Sequence, residues 1–308
     1  MNQLTEIQTA PEIQKQPVRK KYRRRFGDRK DGRRLRSLKP YNYISPYIMV
    51  ERNDSSNMIR DAFETTEVDR YIREKREQGM KSFGIMHVLL AAYVRLVSQK
   101  PRINRFINGQ KIFARFGIQV NLAVKPEMTE DSVDTVVKMR YERTDTAKEV
   151  YEKTCQTIEE ALSGENSFDQ TAKLLNYIPG LIKKNVVFLL KLLDYFGLLP
   201  RALTDVSPFH GSMFITSMGS LGIPPIYHHL YNFGNVPVFI SFGRRRAQNE
   251  LTDDGTVVKR HYVDYTIVTD ERICDGFYYA TCLRFMKRIL QNPWLLDAPP
   301  VNVYEDVE

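Results

Sequence analysis

The stretch VTDERICDGFYY, from Val268 to Tyr279, sets four charged side chains between an apolar run and an aromatic helix start. Either they belong to a solvated turn, or they are aimed at something. In the chemical reading Glu271 is a carboxylate that accepts a proton. Asp275 opens the last helix, where its carboxylate can accept from the free N–H groups of the first turn. Gly276 lets another backbone or side chain come close. Upstream, PFHGSMFITSMGSLGIPP puts Thr216 and Ser217 at a strand end that runs into a glycine-rich turn. Hydroxyls there can donate to an oxyanion, or simply cap the backbone. Adjacent His228 and His229, in GIPPIYHHLYNFGNVP, are a second source of a base; their plain reading is structural or surface imidazole. Cys274 is a nucleophile only if the helix start stabilises its thiolate, and a buried cysteine is inert. His87, inside an apolar helix, reads as a core residue, and His261 lies in a strand with nothing to recommend it.

These residues must be positioned by a chain of 308 residues, enough for one large domain or two small ones. Its 42% hydrophobic content supports a packed core. The polar start MNQLTEIQTAPEIQ has no signal-peptide core, and NVVFLLKLLDYFGLLP is interrupted by Lys191 and Asp194. The expectation is a soluble protein. Three cysteines without paired spacing argue against a disulfide framework or a zinc site and fit a reducing cytoplasm. No metal site is expected. The net charge of +9 is concentrated: residues 1–40 hold 13 Lys and Arg against 4 acids, and the remainder balances. The expected organisation is a basic, largely flexible arm over 1–40 and a globular body over 41–308.

Within the body, TTEVDRYIREKREQG reads as a helix capped by Thr65 or Thr66 and stopped at Gly79. SFGIMHVLLAAYVRLVSQKP is a second helix, capped by Ser82 and ended before Pro101. GIQVNLAV and VVKMRYE alternate as half-buried strands, and TDTAKEVYEKTCQTIEEALSG is an amphipathic helix. Residues 166–206 are Leu-rich and helical, apolar around much of the circumference. Such a segment needs a partner: the body, a neighbouring subunit or a lipid surface. SMFITS and PVFISFG are strands, and RRRAQNEL and TVVKRHYVDYTIVT pair through a turn at Asp253-Asp254-Gly255. A helix from about Asp275 to Gln291 closes the pattern. Helices interleaved with strands and hairpins give an α/β fold with a mixed sheet.

The order of these pieces resembles the catalytic domain of the dihydrolipoyl acyltransferases of 2-oxoacid dehydrogenase complexes, and more distantly chloramphenicol acetyltransferase. The similar stretches are FETTEVDRYIREKREQ with its following apolar helix, PRINRFINGQKIFARFGIQVNLAV, GSMFITSMGSLG, VPVFISFG and TDERICDGFYYATCLRFMKRILQNP. They span roughly residues 60–295, apart from the Leu-rich insertion. The resemblance implies a two-layer sandwich with a mixed sheet. It also implies a homotrimer, with a channel at each subunit interface that coenzyme A enters from one side and an acyl acceptor from the other.

Where the family pattern reads Asp-His-Arg-x-x-Asp-Gly, this chain has Asp270-Glu-Arg-Ile-Cys-Asp-Gly276. The resemblance therefore implies that Glu271 replaces the histidine base that deprotonates a thiol. It puts the oxyanion hydroxyl on Thr216 and a structural aspartate on Asp275, paired with Arg34 or Arg36. A thiol near pKa 8.5 gives its proton to an imidazole at a cost of about 2.7 kcal/mol, and to a carboxylate at about 5.7 kcal/mol. Desolvation in a narrow channel closes much of that gap; Asp270 would raise the proton affinity of Glu271 and Arg272 would lower it. No lipoyl domain, subunit-binding domain or Ala/Pro-rich linker precedes the body. The chain reads as a stand-alone coenzyme A-dependent acyltransferase. Two alternatives remain: a degenerate trimeric scaffold or ligand-binding relative, and a module that holds nucleic acid or an anionic membrane through residues 1–40. The later part of the arm (Arg33, Arg34, Arg36, Lys39) is alternatively expected to fold onto the body near the phosphates of coenzyme A.

Overall fold

The computed structural model describes residues 22–125, 129, 135–163 and 177–308. Its main layer is a six-stranded mixed sheet of β2 (Ser56–Glu64), β5 (Ile118–Val124), β6 (Thr135–Tyr141), β7 (Met213–Ser217), β8 (Val238–Leu251) and β9 (Val257–Asp270). The spatial order is β2-β9-β8-β7-β5-β6. β7 runs parallel to both its neighbours, β5 and β8, and every other pair is antiparallel. A second, three-stranded sheet joins β1 (Gly32–Arg34), β4 (Lys111–Arg115) and β3 (Arg105–Asn108) in that order.

Alternation along the strands sends one set of side chains into the main core and the other to the opposite face. Val120, Leu122, Met213, Ile215, Ile240 and Ile267 meet the helices there. The helices are α2 (Thr66–Glu77), α3 (Ile85–Gln99), α4 (Ala147–Ser163) and α7 (Gly276–Gln291). Each presents a stripe at helical spacing, such as Val68, Tyr71, Ile72 and Lys75 on α2. On the opposite face Phe214, Phe239 and Val268 form a smaller cluster with Leu230 and Val236, under the segment that links β7 to β8. This is the expected two-layer α/β sandwich.

The DDG turn is a tight hairpin with Gly255 at φ 83, and β8 is one continuous strand with an irregularity between Phe242 and Arg245. The sequence separates that strand into PVFISFG and RRRAQNEL because Gly243 and three arginines interrupt its apolar pattern. Ser82 does not cap α3. Gly84 holds that position, with its N–H donating to His87 Nδ1 at 3.1 Å, and Ser82 bonds to the Tyr151 hydroxyl at 2.9 Å instead.

The arm also ends earlier than residue 40. Arg29 is buried, β1 pairs with β4, and Leu35 is 1% exposed in the main core, so the folded body already includes this stretch. α1 (Pro40–Ile48), which the sequence pattern does not announce, follows it. Within the Leu-rich insertion α5 (Gly180–Tyr195) and α6 (Arg201–Val206) are helical as expected, and 164–176 lie outside the described residues.

Candidate active site

Thr216 lies near the end of β7, where the alternation that points Ile215 into the helix-side core points Thr216 to the opposite face with Phe214. It is 6% exposed. Its neighbours across the sheet are Ser241 on β8 and, beyond it, Thr266 on β9, so three hydroxyls form a row. The Thr266 hydroxyl donates to the Ile226 carbonyl at 2.6 Å, and Ser241 Oγ accepts from the Ile226 N–H at 3.4 Å. The Thr216 hydroxyl has no hydrogen-bond partner among the described residues, which leaves it free to donate to a ligand. The glycine-rich turn after it is closed rather than cradle-like. A Cβ on Gly219 would stand 2.6 Å from the Gly243 carbonyl, and one on Gly243 would stand 2.5 Å from Pro225.

At the other end, β9 runs into a single 3-10 turn, Glu271–Ile273, and then into α7. Asp270 is fully buried and accepts from Arg272 Nε and Nη2, each at 2.8 Å, with Arg52 Nε at 3.4 Å. Arg52 in turn donates to the carbonyls of Tyr231, Ile107 and Gly234. From the other side Arg105 forms a two-point pair with Asp306, both contacts at 2.6 Å, and reaches the Ile273 carbonyl at 3.3 Å. The turn is thus clamped by buried guanidinium groups. Its first side chain, Glu271, is exposed. Asp270 and Arg272, its neighbours in the sequence, are paired with each other.

Asp275 caps α7 as expected, accepting from the Tyr278 N–H at 2.8 Å. It has no arginine partner among the described residues. Arg36 pairs instead with Asp28 at 3.1 Å, and Arg34 follows Asp28 through its backbone N–H at 2.9 Å. Asp28 is closer in the chain and captures both, so the expected pairing of Asp275 with Arg34 or Arg36 does not form within the chain. Arg105 is the arginine that supports this turn. Its signal was present in PRINRF, one of the stretches that carry the resemblance. Gly276 has open space where a side chain would begin, so no group of this chain needs its small size.

The separation of Thr216 and Glu271 follows from the strand register. Thr216 is level with Ser241 and Thr266, and Glu271 lies five residues beyond Thr266. At ~3.4 Å per residue that is roughly 17 Å along the sheet, besides two strand spacings across it. One chain cannot bring both groups to a single reacting atom.

His228 is nearer to Thr216. Its ring lies flat on Phe239, 4.3 Å between centroids at 10°, and Phe239 shares a face with Ser241. Burial, and after it the neighbouring His229, hold the His228 pKa below that of a free imidazole, and its Nε2 is buried without a partner. His229 is exposed and meets the edge of Tyr231. Cys274 and Cys282 are buried and their thiols are pushed up to about 12, so both are protonated packing residues. Burial lowers His87 to about 4, in keeping with a core residue.

Two further features stand out, of which the sequence pattern announced only the second. Asp194, 3% exposed near the end of α5, is met by Arg29 Nη2 at 2.9 Å, Asn108 Nδ2 at 3.1 Å and His210 Nε2 at 3.3 Å. Residues Arg25, Arg33, Arg34 and Arg36 line a cleft of about 560 Å³ with Arg143 and Glu308. The later arm does fold onto the body. Among the described residues no group of three or more His, Cys, Asp or Glu could hold a metal ion.

No protein-family model matches the sequence, and no curated protein is recognisably similar to it. Solved structures do match. A probable dihydrolipoamide acetyltransferase from Listeria monocytogenes aligns over 83% of this chain and 94% of its own, at 16% identity and a TM-score of 0.52. The dihydrolipoamide acetyltransferase of Azotobacter vinelandii, in which a serine, a histidine and an asparagine have been investigated for catalysis, aligns over 85% and 93%, at 14% identity and 0.54. The fold is that of the dihydrolipoamide acetyltransferase cores. Chloramphenicol acetyltransferase aligns more weakly, over 81% and 93% at 11% identity, with a TM-score of 0.45. At these identities the likeness is one of fold.

Proposed function

We propose that the protein is a coenzyme A-dependent acyltransferase whose site is assembled between copies of the chain, Thr216 coming from one subunit and Glu271 from its neighbour in a trimer. The observation that carries this reading is the separation of about 17 Å along the sheet between two groups that share one reaction. In the reaction an acceptor thiol gives its proton to the Glu271 carboxylate, and its sulfur attacks the thioester carbonyl. The Thr216 hydroxyl donates to the oxyanion that develops, in a place where water is excluded. Collapse expels the coenzyme A thiolate, which takes the proton back from Glu271. The neighbouring subunit supplies the cover that Glu271 lacks in the single chain. Arg25 and Arg34, whose guanidinium groups have no acidic partner among the described residues, are suited to the phosphates of coenzyme A at the rim of the arginine-lined cleft.

The exposure of Glu271 favours a second reading, a trimeric scaffold that binds the acyl carrier without turning it over. Mixing subunits distinguishes the two. Thr216→Val and Glu271→Gln chains are each inactive alone with acetyl-coenzyme A and a dithiol acceptor. Unfolded and refolded together they recover about a quarter of wild-type activity, because only sites made of one intact half from each chain work. Equal inactivity of wild type and both variants supports the scaffold. Activity retained in Glu271→Gln but lost in His228→Ala moves the base to the loop over the sheet. Light scattering must give three chains or a multiple; a monomer at micromolar concentration removes the interface site.

A further inference from the structure

Helix α5 is tied to the body mainly at its C-terminal end, where Asp194 is buried among Arg29, Asn108 and His210. Val186, Leu190 and Leu193 form a half-buried stripe on one side of it. The opposite side carries Leu181, Phe188 and Leu192, exposed by 84%, 66% and 43%, with Leu189 and Phe196 beside them. At 100° per residue these fall on one outward face, so the helix is apolar on two sides and needs two partners. Lys184 and Lys191 are exposed, two turns apart along one flank of the outward face.

One arm residue, Arg29, reaches the C-terminal end of this helix. The Arg29 guanidinium donates to the Asp194 carboxylate at 2.9 Å and to the Asp194 carbonyl at 2.7 Å. The exposed Arg25 lies four residues before Arg29, within roughly 14 Å of contour, and the exposed Arg23 and Arg24 precede it. An apolar stripe flanked by exposed lysines complements a surface that is apolar beneath and negative above. The core of a protein–protein interface is by contrast depleted of lysine. Among the described residues no helix is long and apolar enough to cross a membrane, so such a helix would lie in the surface plane.

We propose that α5 docks on an anionic lipid bilayer, with Phe188 and Leu192 in the acyl boundary and Lys184 and Lys191 on the headgroups. Each signal alone anchors weakly and reversibly; together they give stable attachment. The proposal is independent of acyl transfer.

Flotation of the full-length protein with vesicles tests it. The protein should float with equal parts phosphatidylglycerol and phosphatidylcholine, not with phosphatidylcholine alone, and should be released by salt. The double variant Phe188→Glu with Leu192→Glu should lose at least about tenfold in partitioning while its thermal unfolding stays unchanged, since both side chains are exposed. Lys184→Glu with Lys191→Glu should weaken binding to the anionic vesicles. An added tryptophan reporter, Phe188→Trp, should shift to shorter wavelength on vesicle addition. The proposal is overturned if the wild type never floats, or if the Phe188→Glu, Leu192→Glu variant floats as well as the wild type. It is also overturned if that variant only lowers the mass seen by light scattering, which would make the outward face a contact between copies.

Discussion

Arg272 closes on the carboxylate two residues before it, its Nε and Nη2 each 2.8 Å from an oxygen of Asp270. The pair is buried beside a second guanidinium, Arg52, so the ion group holds the turn that presents Glu271. Asp270→Ala leaves two buried cations facing each other without an anion. It should cost about 3–5 kcal/mol in urea unfolding. Glu271→Ala, at an exposed position, should leave the midpoint unchanged. Comparable loss in both variants would contradict the division between clamp and presented group.

Thr216 offers a hydroxyl on an otherwise rigid strand. Thr216→Ser should retain acyl transfer and Thr216→Val should lower kcat by a factor on the order of 10²–10³ with little change in KM. A valine variant as active as the serine variant would remove the hydroxyl from the reaction.

An imidazole accepts a thiol proton more readily than a carboxylate by about two pKa units. Glu271→His should therefore accelerate thiol-dependent acyl transfer by up to about 10². It can do so only if the place occupied by Glu271 is a working one. A slower Glu271→His enzyme would show that the neighbouring surface is shaped for the carboxylate.

Burial holds His87 at about 4, well below a free imidazole. The folded state therefore binds fewer protons than the unfolded one between about pH 6.5 and 4. The stabilisation from a neutral His87 is complete above that window and is lost as pH falls through it. The loss is on the order of 3 kcal/mol for this residue, and His87→Gln should flatten the slope of unfolding free energy against pH there. His210 and His228, also depressed by burial, act in the same direction and keep a residual slope.

The strands and helices of the main sheet were legible because each buries one face and shows it as a period. β5, β6 and β7 alternate, and α2 and α4 repeat every three to four residues. Elements held by polar contacts were not. β1 consists of Gly32, Arg33 and Arg34 and is placed by ladder bonds to β4 and by Arg33 reaching the carbonyls of Asp306 and Val307. The candidate site divides in the same way. The cap at Asp275 and the strand position of Thr216 depend on local spacing and could be read directly. Arg52 beside Asp270, and Arg29 and Asn108 on Asp194, come from dozens to hundreds of positions away, and no local pattern ranks Arg105 above Arg36 as the arginine that holds the turn.

β2 is an edge strand of the main sheet, and its one partner there among the described residues is β9, with Ser56 opposite Asp270 and Glu64 opposite Tyr262. Some two hundred residues separate the two halves of that ladder. At roughly 5–20 residues per second, a ribosome takes on the order of ten to forty seconds to make the interval. Through that time β2 has left the exit tunnel with its backbone donors and acceptors unmatched. The sheet is assembled out of order, β5 with β6 first and the earliest strand last. Until synthesis reaches β9, that strand is the part of the nascent chain most open to pairing with another molecule, and a holding chaperone would find its target there.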